Sequence, residues 1–246
     1  MNEKAVKAGS IKPSPWRLRF RRFSAVQLLI VLGVFFTAAP FVEEIKGGEL
    51  IVSLLFSLVL VSAVLAVAAS KRVLVIAIVL AVSGIAGRWI NHFRPDLIPP
   101  AVFLIAALLL IAFVIAHLLG FILRAPVVTT EVLCASISAY LMLGLIWALA
   151  YWLVDRLTPG GAFSFNTNAG TRSINGFTGF YFSFITLSTV GYGDITPVSR
   201  MARWLAAMEA MTGLLYVAVL IARLVSLYSS PKSEAPIKSE SAAPND

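Results

Sequence analysis

The sequence is poor in charge: of 246 residues only 13% are Asp, Glu, Lys or Arg while 59% are hydrophobic, which excludes an ordinary soluble domain. It holds one cysteine, Cys134, inside an apolar segment, so a single chain can assemble neither a disulfide framework nor a thiolate metal site. No Walker or dinucleotide-binding fingerprint occurs, and neither tail has room for a soluble regulatory domain, so control by such ligands would need a separate subunit. Clusters of intramembrane histidine or carboxylate and paired broken helices in two related halves are also missing, which argues against a membrane enzyme and a secondary transporter. The net charge of +8 is no sign of nucleic acid. The basic residues gather in the first two dozen positions, directly before an apolar run and without aromatic interleaving, as a membrane topology signal does.

What the chain has in abundance is uninterrupted apolar sequence. One span needs about 20 residues to cross roughly 30 Å of hydrocarbon, and apolarity with length predicts six: Ser24 to Val42, Leu50 to Ser70, Val73 to Gly87, Leu97 to Leu123, Val132 to Val154 and Ala202 to Leu227. The third is short and borrows Trp89 and Ile90 to reach the interface. The first reads as an uncleaved anchor, because its basic leader is too long for a secretory signal. That leader, residues 1–23, carries Lys4, Lys7, Lys12, Arg17, Arg19, Arg21 and Arg22, with Pro13 and Pro15 expected to interrupt any early helix. Together with Lys71, Arg72, Arg124, Arg223, Lys232 and Lys238 it puts most cations on one side, so both termini are expected in the cytoplasm; Arg88 and Arg94 run against this pattern. Trp89, Tyr151, Trp152 and Trp204 are expected at the outer interface.

Between the fifth and sixth spans lies Asp155 to Asn175, rich in Gly, Asn, Thr and Pro, and then an apolar stretch, Gly176 to Leu187, too short to cross. This pattern predicts a re-entrant helix, whose backbone is tolerated at membrane depth only where protein or a water-filled cavity surrounds it. The chain then reads Thr186-Leu-Ser-Thr-Val-Gly-Tyr-Gly-Asp194. That run resembles the potassium-channel signature, and Val132 to Leu227 resembles a whole pore domain of the bacterial ion-channel type.

The resemblance implies a homotetramer in a lipid bilayer, with a K+-binding filter of Thr189, Val190, Gly191, Tyr192 and Gly193. The ion would be bound at Thr189, Val190, Gly191 and Tyr192, and no cofactor is implied beyond the permeant ion. Chemistry accounts for the residue types. Potassium sheds its water only if oxygen dipoles replace the hydration shell, and Gly191 and Gly193 can enter positive φ to aim backbone carbonyls without a Cβ clash. Asp194 and Tyr181 are expected to brace the filter. Phe182 stands where relatives often have a tryptophan and cannot donate to Tyr192, which predicts easier loss of conduction at low potassium.

Two candidate gating residues lie in the last span. Gly213 fits either a hinge or a close helix contact, and Glu209 is either a functional carboxyl or instead protonated or hydrogen-bonded to hydroxyls such as those of Thr186 or Ser188. The fourth span has no Lys or Arg, so voltage gating is not expected; a lone His117 fits pH sensing or a local hydrogen bond. The fold class is thus an all-α membrane protein with six spans. Its parts are an arm (1–23), a four-helix region (24–124), a pore domain (125–228) and a disordered cytoplasmic tail (229–246). The function expected is passive potassium conduction across the cell's inner (plasma) membrane and not enzymatic; a non-selective cation channel or a non-conducting regulatory subunit is the alternative.

Overall fold

The computed structural model describes residues 15–43, 45, 47–67, 71–94, 99–166, 173–174 and 176–229. The first part of the expected arm and the expected tail beyond Ser229 lie outside these residues. Among them the chain forms α1 (Pro15–Glu43), α2 (Gly48–Val67), α3 (Lys71–Phe93), α4 (Pro100–Arg124), α5 (Thr130–Leu157), β1 (Phe163–Phe165), α6 (Gly176–Leu187), β2 (Ile195–Pro197) and α7 (Arg200–Ser229). All helices except α6 are long and apolar enough to cross a membrane, making this a multi-pass membrane protein. At 1.5 Å per residue the 12 residues of α6 extend about 18 Å, well short of the hydrocarbon thickness.

Helix α1 packs along α2 and α5, α4 lies between α3 and α5, and α5 carries both α6 and α7. On α1 the buried residues Ala25, Leu28, Leu32, Phe35 and Ala39 recur every three or four positions and form one stripe, while the opposite face exposes Ile30, Val34 and Phe41. Both faces are apolar, as expected of a helix whose outer side meets lipid. The aromatic end of the stripe joins the four-helix region to the short helix: Phe35 meets Phe180 edge-on at 5.2 Å, and Phe36 meets Phe184 at 4.9 Å between ring centroids.

Helix ends are secured by short polar contacts. The Thr129 hydroxyl accepts the Val132 amide at 3.4 Å and the Ser199 hydroxyl accepts that of Ala202 at 3.1 Å, each satisfying an amide of a first helical turn. At the C-terminal end of α4, Arg223 of α7 donates from Nη2 to the carbonyls of Leu123 (3.1 Å) and Ala125 (2.9 Å), placing a cation where the helix dipole is negative.

The structure corrects several expectations. Pro15 opens α1 instead of interrupting it, because the first helical position needs no amide hydrogen, so residues 15–23 of the expected arm are helical. Helix α4 starts at Pro100 for the same reason, later than the expected Leu97. Tyr151 is fully buried and so is not an interfacial ring. The two strands were not anticipated; each is three residues long, too short to give an alternating pattern.

Candidate functional site

The run after α6 is shaped by the last turn of that helix. The Ser188 amide donates to Phe184 O (3.0 Å) and that of Thr189 to Thr186 O (2.9 Å); the amides of both Val190 and Gly191 then converge on Ile185 O, at 2.8 and 3.1 Å. Positive φ recurs at alternate residues, Thr189 (59°), Gly191 (50°) and Gly193 (78°), whereas Val190 and Tyr192 do not have it. In a trans peptide the C=O points opposite to the N–H it shares a plane with. Since the amides of Val190 and Gly191 face α6, the carbonyls of Thr189 and Val190 face away from it. A β-branched residue at positive φ is strained by about 1–3 kcal/mol, so Thr189 holds this geometry against its own preference. The whole run is exposed on the isolated chain, Val190 at 52% and Tyr192 at 72%.

Behind the run stands a set of tethers. Asp194 accepts the Tyr181 hydroxyl at 2.7 Å and the Ile195 amide at 3.0 Å, while its backbone carbonyl accepts the Asn166 amide at 2.7 Å. Strands β1 and β2 pair antiparallel, with Phe163 opposite Pro197 and Phe165 opposite Ile195. The Asp155 carboxylate, at the end of α5, gathers the amides of Ala162 (2.7 Å) and Ile174 (3.2 Å). The expected pairing of Tyr181 with Asp194 is therefore present. Its hydrogen bond to Asp194, with some burial, pushes the Tyr181 phenol up to about 12, so it remains a donor across the neutral range. Phe182 points elsewhere, packed between Tyr151 (4.9 Å) and Phe163 (5.2 Å). Tyr181→Phe is expected to lower stability by about 1 kcal/mol. Asp194→Ala should lower it further, since it leaves two donors unpaired; melting of the purified protein in detergent measures both.

On the inner side of α6, Glu209 of α7 is fully buried. Its partners are not the expected Thr186 and Ser188, whose hydroxyls turn back to Phe182 O (2.8 Å) and Phe184 O (2.6 Å) of their own helix. Glu209 instead meets Ser183 of α6 at 2.5 Å and receives the hydroxyl of Tyr151 of α5. Both were within reach of sequence reasoning as polar residues in apolar segments, but the relative rotation of three helices selects them. One turn later Gly213 lies so close to α6 that a Cβ there would collide with the carbonyl oxygen of Leu187. His117 satisfies a local contact, Nδ1 to Phe113 O at 2.9 Å.

Residues 127–230 match the family model described as ion channel. The matched segment takes in α5, the loop with its two strands, α6, the exposed run and α7. The first four helices lie outside it. Among similar proteins, LctB of Bacillus caldotenax is 47% identical over 45 residues, 18% of this chain and 33% of that protein. Two-pore potassium channel 4 of Arabidopsis thaliana is 34% identical over 99 residues, 39% of this chain and 34% of that protein. The inward rectifier potassium channel Kirbac3.1 of Paramagnetospirillum magnetotacticum is 31% identical over 96 residues, 37% of this chain and 28% of that protein. The chain spans about a third of the length of these relatives.

Where the first four helices meet the matched segment there is a cavity of about 340 Å³ lined by Phe35, Glu49, Arg88, Trp152, Arg156 and Gly179 among others. Arg88, which ran against the charge pattern in the sequence, donates from Nε to Ser53 Oγ at 3.0 Å and lies over the rings of Phe56 (5.7 Å) and Trp152 (5.9 Å). Packing accounts for this cation where topology did not. Among the described residues no group of three or more His, Cys, Asp or Glu could hold a metal ion.

Proposed function

We propose that this chain is one subunit of a potassium-selective channel in which four copies surround an axis and Thr189, Val190, Gly191, Tyr192 and Gly193 of each form one wall of the filter. The observation that carries this reading is the backbone itself. Alternating positive φ, with two successive amides turned to α6, directs successive carbonyls away from the helix. Such a row of oxygens is what a dehydrated monovalent cation requires, at Thr189, Val190, Gly191 and Tyr192. One chain offers only one side of a coordination shell, so rotational symmetry completes it. The exposed Val190 and Tyr192 and the exposed apolar face of α7, including Leu214 and Leu215, are then covered by neighbouring copies or lipid.

In this reading α6 is a re-entrant pore helix whose C-terminal end, carrying about half a negative charge, faces the ion path and favours cations without a carboxylate. Asp194 and Tyr181 hold the outer mouth from behind. The named potassium channels among the similar proteins support the choice of ion. Helix α4 carries no Lys or Arg before its last residue, Arg124, so the four-helix region is no voltage sensor. The cation distribution supports a plasma-membrane protein with both termini in the cytoplasm.

Rubidium uptake into liposomes loaded with potassium tests the proposal, with potassium and sodium then set on opposite sides of a bilayer. Uptake with strong preference for potassium is the expected outcome. Equal sodium current would make this a non-selective cation channel, and no current at all would leave a non-conducting subunit. Because Phe182 is packed away from Tyr192, current is also expected to fade faster on potassium depletion than in channels whose filter tyrosine has a donor beside it.

A further inference from the structure

Three hydrogen bonds meet around one buried carboxyl. Ser183 Oγ lies 2.5 Å from Glu209 Oε1 and 2.7 Å from the carbonyl oxygen of Gly144 on α5, and the Tyr151 hydroxyl donates to Glu209 Oε2. Three such bonds need three protons. The carbonyl can only accept, and Tyr151 and Ser183 bring one proton each. A single hydroxyl hydrogen shared between two acceptors would not hold both at these short separations with good angles. The third proton therefore belongs to Glu209.

The surroundings agree with this count. Glu209, Ser183 and Tyr151 are each fully buried, and among the described residues no Lys, Arg or His forms an ion pair with the carboxyl. A carboxylate there would be a buried charge without a counter-ion, the arrangement that proteins avoid most consistently.

We propose that Glu209 works as a neutral carboxylic acid and positions the conduction loop through its proton. Glu209 donates to Ser183, Ser183 donates to Gly144 O, and Tyr151 donates to Glu209, so one chain of hydrogen bonds joins α7, α6 and α5. Ser183 lies in the helix whose last turn sets the carbonyl row, so this chain fixes where that row stands relative to α5 and α7. The positioning role rests on the proposed channel function; the protonation state does not.

Infrared spectra and rubidium flux of the full-length protein in liposomes separate the two. The wild type minus Glu209→Gln difference spectrum should contain the C=O band of a protonated carboxyl that shifts in deuterium oxide; a carboxylate band in its place overturns the inference. Glutamine has the same shape and can donate to Ser183 while accepting from Tyr151, so Glu209→Gln should carry flux within about twofold of wild type. Glu209→Ala removes the acceptor of the buried Tyr151 hydroxyl and the donor to Ser183, which keeps only Gly144 O, and should lose about tenfold or more. Equal loss in the two variants overturns the positioning role. Absence of flux in the wild type would sink the channel function, and with it the positioning role, while the infrared band still decides where the proton is.

Discussion

Gly191→Ala is expected to abolish potassium flux while leaving the fold in place. At φ 50° an L-residue is held in the left-handed region, where its Cβ crowds the following carbonyl at a cost of about 1–2 kcal/mol. The space around the position is open, with nothing within 4 Å of an added Cβ in the isolated chain, so the penalty is conformational. Four copies would multiply it to about 4–8 kcal/mol, enough to favour a rearranged loop over the carbonyl row by a factor of about a thousand or more. Gly160→Ala is the matched control. Gly160 has φ 83°, also has nothing within 4 Å, and lies in the turn after α5, so the same backbone penalty falls outside the loop. Rubidium flux should be lost in the first variant and stay within about twofold of wild type in the second. Comparable flux from both would mean that the geometry of residues 189–193 is not what carries ions.

Gly213→Ala should act on the packing of α6 against α7. An added methyl would strike the Leu187 carbonyl oxygen, a backbone atom that cannot swing aside as a side chain would. Separating the two helices costs about 1–3 kcal/mol per copy by the usual scale of overpacking. Expected results are a lower melting temperature and a smaller fraction of assembled protein on size exclusion in detergent. If Gly213 served bending alone, alanine would leave both quantities unchanged and alter only the open probability of single channels. Of the two readings left open by the sequence, close contact is therefore the one with a geometric basis, and the two measurements distinguish them.

The spans were legible because apolarity over about 20 residues is a property of the segment alone. The run from Thr186 to Asp194 was legible for a similar reason: its glycines and their spacing are local. Even the Tyr181 to Asp194 bond could be anticipated, since it joins α6 to a residue only 13 positions further along the chain. What escaped depends on how separate helices are rotated against each other. Nothing in the order of residues indicates that Glu209 meets Ser183 and Tyr151 instead of Thr186 and Ser188, because helices that are apolar all round show no periodic stripe to mark their inward face. Tyr151 was misassigned on the same account, as a ring near a helix end fits an interface as well as a core. Arg88 escaped because its partners, Ser53, Phe56 and Trp152, come from two other helices. Pro15 was read as a break and the fourth span was begun at Leu97, ahead of Pro100, although proline opens a helix as readily as it ends one.

The grip of Arg223 on Leu123 and Ala125 has a mechanical consequence. It fastens the far end of the last helix to the rim of the peripheral bundle, so the two cannot travel independently. Any outward swing of that end must either drag the bundle's edge along or release both carbonyls to water, and in a ring of subunits every latch would face the same choice.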